Sequence, residues 1–166
     1  MLGRDPTGSA MVVRRSLKFA SLDDAVADAE RLLAAGYDRA RQWSLGQCCG
    51  HIASWLGYAM DGFPKPPAPL RMLMWVLRHT VGPGALTRVL ANGEMKPGLP
   101  TSPQSVPAPT PDDAAGVAKL KETVARVNAF AGTPLPSPFF GPMDRDTWVR
   151  LNCVHAAHHL SFLTPK

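Results

Sequence analysis

"SLGQCCGHIASWLGYAM", Ser44 to Met60, decides how the chain is read. Ser44 and Gln47 stand at the spacing of a capping box, in which the serine hydroxyl and the side chain three residues on satisfy the first free amides of a helix. Trp43 occupies the place of a hydrophobic staple. Leu45, Cys48, Ile52, Trp55, Leu56 and Ala59 recur at helical period and form one apolar stripe, with His51 on its flank beside Trp55 and Tyr58. Gly62 and the prolines from Pro64 to Pro69 end the pattern.

The same grammar extends in both directions. Ser21-Leu22-Asp23-Asp24 opens a helix from Ser21 to about Ala35, which Gly36 stops. A third helical stretch begins near Leu70, is interrupted at Gly82-Pro83-Gly84 and resumes through Asn92, so a kink or two pieces are expected. Lys96 to Pro111 is too rich in proline for regular structure and reads as an extended surface connection. Thr110-Pro111-Asp112-Asp113 then opens a helix with Pro111 in its first position, closed by Gly132 and Pro134. Asp144 caps a final helix expected to run through Leu163. With no alternating strand pattern and no internal repeat, four or five amphipathic helices most simply bury their stripes in an all-α bundle.

At 166 residues the chain fits one domain with one core, and residues 1–15 are expected to be a flexible N-terminal extension. The formal net charge is +5, but the basic residues are scattered and do not alternate with aromatics, so nucleic acid is not an expected partner. "VVRRSLKFAS", Val12 to Ser21, has the paired arginines of an export signal but is followed by charged residues where such a signal needs an apolar run. "LRMLMWVLRHTVG" is broken by Arg71, Arg78 and His79, so no span and no membrane partner are expected. Three cysteines, Cys48, Cys49 and Cys153, make no disulfide framework and suit free thiols in a reducing cytoplasm.

Three histidines crowd "VHAAHHL", Val154 to Leu160. At 100° per residue, Trp148, Leu151, His155, His159, Phe162 and Leu163 share one broad face of the last helix, with His158 at its edge. His155 and His159, four apart, stack on one side and can approach one ion together, and His51 could complete a three-histidine site across the bundle. The plainer reading makes them core histidines bonded to carbonyls. Because Ala156 and Ala157 stand between them, the zinc-protease motif and its glutamate base are absent. A mixed site drawing on Cys48 or Cys153 is the lesser alternative, and Trp148 and Trp75 are expected in the core.

Together, "SLGQCCGHIASWLGYAM" and "WVRLNCVHAAHHLSFL" resemble the DinB/YfiT-like superfamily of metal-dependent enzymes. "FFGPMDRDTW" and "RRSLKFASLDDAVADAERL" are similar to a branch of it named only as a domain of unknown function, and the resemblance covers nearly the whole chain. It implies a four-helix bundle with a long crossover between its second and third helices, with room for a short extra helix. It also implies a divalent metal held by His51, His155 and His159. His158 falls outside that set, and His79 has no counterpart in the motif. Many members carry an arginine after the last ligand, where this chain has Leu160, so a substrate contact from that position is not carried over.

Three imidazoles leave coordination positions open, the pattern of a catalytic rather than a structural site. Zinc or nickel is expected, with iron as a third candidate. Asn152, one turn before His155, is a candidate for orienting the cluster, or a buried amide paired with backbone; Trp55 and Tyr58 could line a pocket over the metal, or pack in the core. No side chain is assigned as the catalytic nucleophile, because a bound water or thiol of lowered pKa would serve. By the resemblance, transfer of a low-molecular-weight thiol to or from a small-molecule substrate leads, with metal-dependent hydrolysis as the alternative. A non-catalytic metal-binding or interaction bundle also stays open, as does a homodimer.

Overall fold

The computed structural model describes residues 14–95, 105–106, 108 and 112–166. It is all-α apart from one small ribbon: α1 (Leu22–Ala35), β1 (Tyr37–Arg39), α2 (Leu45–Asp61), α3 (Ala68–Thr80), α4 (Gly82–Asn92), α5 (Asp113–Ala129), α6 (Arg145–Leu160) and β2 (Leu163–Pro165). Both capping boxes form: the Ser21 hydroxyl accepts from the Asp24 amide, and the Ser44 hydroxyl from the Gln47 amide. Among the described residues no helix is long and apolar enough to cross a membrane.

The core lies between α1, α2, α5 and α6. The first helix contributes Ala25, Ala29 and Leu32, α2 contributes Leu45, Ile52 and Leu56, α5 Leu120, Val124 and Val127, and α6 Trp148, Ala156 and Leu160. Burial of these stripes is the main driving force for the bundle. The α2–α5 crossing is set by two glycines, because a Cβ on Gly116 would stand 2.5 Å from the Gly46 Cα. At the same crossing the Asp113 carboxylate accepts from the Gly46 amide at 2.7 Å and from the Tyr37 hydroxyl at 2.7 Å, and that hydroxyl accepts from the Leu45 amide. One carboxylate thereby fastens the start of α2 to the start of α5.

The third helical stretch is in two pieces, as expected: α3 and α4 meet at Val81, beside the Gly-Pro-Gly break, and together they fill the connection from α2 to α5 where the resemblance left room for one short extra helix. Several other expectations need correction. The cap of α5 is Asp112, whose carboxylate accepts from the Ala114 amide, so the helix starts after the Thr110-Pro111 pair, which lies outside the described residues, as does most of the proline-rich connection. The last helix stops at Leu160, not Leu163. Phe162 and Leu163 leave the helix because the chain turns back to pair antiparallel with β1, in the register Tyr37↔Pro165, Asp38↔Thr164 and Arg39↔Leu163, which puts Leu163 fully inside the core. Trp148 is buried as expected, but Trp75 is 61% exposed, because α3 buries none of its residues.

Residues 1–13 of the expected N-terminal extension lie outside the described residues. Arg14 and Arg15, however, are tied to the bundle. Arg15 makes two bonds of 3.0 and 2.7 Å to the buried Asp28 carboxylate and one to the Leu160 carbonyl, and Arg14 donates to the Ser161 hydroxyl. Asp28 also receives Arg31 one turn along α1. Removing one partner from this cluster would strand a buried charge, which is why the group belongs to the fold's stability.

Candidate metal centre

The middle of α2 and the last two turns of α6 face each other across the core, and this packing brings three imidazoles together. His51 is 2% exposed, while His155 and His159 are half-buried. The His155 Nε2 lies 3.2 Å from His51 Nε2 and 3.0 Å from His159 Nε2, and one ligand nitrogen from each residue falls within 4.8 Å of the others. Two nitrogens bound to one ion at 2.0–2.1 Å and 90–109° stand about 2.8–3.4 Å apart. The two closest separations therefore fit the edges of a metal's coordination shell.

His51 shows how the set is oriented. Its Nδ1 lies 2.8 Å from the Ser105 carbonyl oxygen, which can only accept, so Nδ1 carries the proton and the neutral ring turns its Nε2 lone pair toward the other histidines. Burial lowers the His51 pKa to about 4, against the Ser105 bond, which favours the charged ring. Burial and the neighbouring imidazoles likewise hold His155 and His159 well below the ordinary histidine value. All three are neutral at pH 7, the state a metal ligand needs. With three Nε2 atoms gathered around His155, one N–H can bridge a single pair of rings at a time, whereas one ion can accept a lone pair from each of the three.

Aromatic residues wall the cluster. The indole of Trp43 stacks on His159 at 5.3 Å and 11° and meets His51 edge-on at 5.0 Å. Trp55 stands 6.3 Å from both His51 and His155, with Tyr58 and Phe63 behind it. Asn152 is buried, and its amide donates to the Trp148 carbonyl one turn back.

His158 points elsewhere, its Nδ1 3.0 Å from the Met95 carbonyl, and His79 bonds the Trp75 carbonyl on α3. Among the described residues the group able to hold a metal is the three histidines, without cysteine or carboxylate. Burial pushes Cys48 up to about 12 and Cys153 up to about 11, and raises Cys49 as well, so the thiols are protonated packing groups. Leu160, directly after His159, is fully buried.

Residues 11–166 match a family described as protein of unknown function (DUF1569). The chain belongs to the DUF1569 family. No curated protein and no solved structure matches it. In this DUF1569 member, sequence reasoning missed two parts of the site. Ser105 lies in the proline-rich connection, where no periodicity marks a residue 54 positions from its partner. Trp43 was visible as a staple at the head of α2, but its stacking on His159 depends on how α2 and α6 pack.

Proposed function

We propose that this DUF1569 chain is a metal-dependent enzyme of DinB/YfiT-like kinship that uses His51, His155 and His159 to hold a divalent transition metal, zinc or nickel ahead of iron. The observation that carries the reading is the convergence of three neutral ring nitrogens, with separations of 3.2 and 3.0 Å at His155, on one point. The kinship is supported by four core helices with a long crossover between the second and third of them, and by the placement of one histidine on α2 and two on α6. A bound ion supplies a Lewis acid that lowers the pKa of a coordinated thiol or water.

The leading reaction is transfer of a low-molecular-weight thiol to or from a small molecule. What favours it over hydrolysis is the absence of a carboxylate from the donor group among the described residues, since a thiol substrate brings its own nucleophile. Trp55 and Tyr58 form the aromatic wall that would exclude water from the substrate, while Asn152 steadies the α6 backbone behind His155. Three buried free thiols support a reducing, cytoplasmic setting.

The test is metal content by plasma mass spectrometry on untagged protein, beside His155→Ala. About one equivalent of transition metal, lost in the variant with helical content preserved, is the expected result for an open three-ligand site. It is followed by a screen of small thiols against electrophiles. Absence of metal after reconstitution with zinc and nickel overturns the reading; metal bound without turnover leaves the non-catalytic bundle.

A further inference from the structure

The α3–α4 region is the part of the chain that the metal centre does not use, and it has an unusual charge pattern. Between Asp61 and Glu94 the sequence contains no aspartate or glutamate, although the chain has 13, and it carries Lys65, Arg71, Arg78 and Arg88. Helix α3 turns Met74 and Leu77 toward the body and leaves Met72 72%, Trp75 61%, Leu73 53% and Val76 42% exposed. Residues 72, 75, 76 and 79 follow helical spacing, so this is one continuous stripe, with the Trp75 and His79 rings 4.6 Å apart. Arg71 is exposed at the stripe's margin.

The unit is anchored at one end. A Cβ on Gly82, where α4 begins, would stand 2.1 Å from the Phe139 carbonyl oxygen, and Arg78 lies against Gly141. The 137–141 loop thus anchors the base of the unit while its apolar side stays outward.

We propose that the outer face of α3 docks on the surface of an anionic phospholipid bilayer. An amphipathic helix with tryptophan and methionine on one side and cations nearby lies in the membrane interface, with the apolar stripe among the upper acyl chains and Arg71, at its margin, at the headgroups; Lys65 and Arg88 are the other exposed cations of the unit. The charge decides the occupant. Two copies of this face would oppose cation to cation with no carboxylate to pair them, whereas anionic headgroups neutralise the set. The proposal departs from the expectation that no membrane is a partner; among the described residues no helix is long and apolar enough to cross, so α3 would lie on the bilayer.

The experiment is sedimentation of the full chain with vesicles of phosphatidylcholine alone or mixed with phosphatidylglycerol, at low and high salt, for wild type, Met72→Ser/Trp75→Ser and Arg71→Glu. Circular dichroism confirms the fold of each, and metal content is measured in parallel, so that loss of the metal reading and loss of this one are separable. Binding is expected only to the anionic vesicles, weakened by salt, abolished in the double variant and weakened about fivefold or more by Arg71→Glu, in line with the worth of one cation at such a surface. Equal binding of the double variant assigns the contact to another face and overturns the proposal. So does failure to bind either vesicle, or a concentration-dependent dimer that the double variant abolishes.

Discussion

His51 is oriented by one backbone contact and one neighbour: the Ser105 carbonyl fixes its tautomer, and its Nε2 lone pair faces His155 Nε2 at 3.2 Å. Replacing a ligand and replacing a residue behind the ligands should therefore separate cleanly. His51→Ala is expected to weaken zinc binding by more than the 10–100-fold typical of losing an outer partner, while Asn152→Ala, whose amide bonds the Trp148 carbonyl rather than a histidine, costs less than about tenfold, as read by competition with a chromophoric chelator. Equal losses would mean that Asn152 is bound into the cluster itself. The thiols give a second residue-scale expectation. With Cys48 held up to about 12 and Cys153 up to about 11 by burial, the folded chain should resist a thiol-specific reagent at pH 8 and react at three cysteines only in denaturant.

At the scale of elements, the glycine contact between α2 and α5 is the least forgiving point. A methyl group on Gly116 would meet the Gly46 backbone, which has no rotamer to yield, so Gly116→Ala should cost about 3 kcal/mol and lower the thermal midpoint by several degrees. An unchanged denaturation curve would show that the helices can separate without loss. Caps and apolar periodicity made α1 and α2 legible in the sequence, since Ser21 with Asp24 and Ser44 with Gln47 are local signals. The β1–β2 ribbon was not legible, because three residues are too few to display alternation and its strands are more than a hundred positions apart. Leu163 looked helical for the same reason: an apolar residue four positions after His159 fits the helix face and the core equally well.

For the molecule as a whole, the histidine cluster links stability to pH. In the unfolded chain histidines take up protons near pH 6.5; in the fold His51 does so only at about 4, and His155 and His159 well below the ordinary value. The stability of the metal-free protein should thus be undiminished above about pH 6.5 and fall as the pH drops from there toward 4, by about 1.4 kcal/mol per pH unit for each buried ring. Urea denaturation across that window measures it, and a flat profile would place the rings in water. The grouping of His51, His155 and His159 was legible at this scale because four-residue spacing on α6 and a flank position on α2 agreed with the family resemblance. Spacing alone favoured core histidines over ligands, and which walls and carbonyls surround the set depended on packing that no local pattern encodes.

The parallel stack of Trp43 on His159 also makes the centre its own optical reporter. An open-shell ion such as nickel or copper, held one ring away from an indole, drains its excited state, whereas closed-shell zinc leaves the emission largely intact. Titrating each ion while following fluorescence, with Trp43→Phe and Trp55→Phe separating the two indoles beside the cluster, would show occupancy and the electronic class of the ion taken up in a single cuvette.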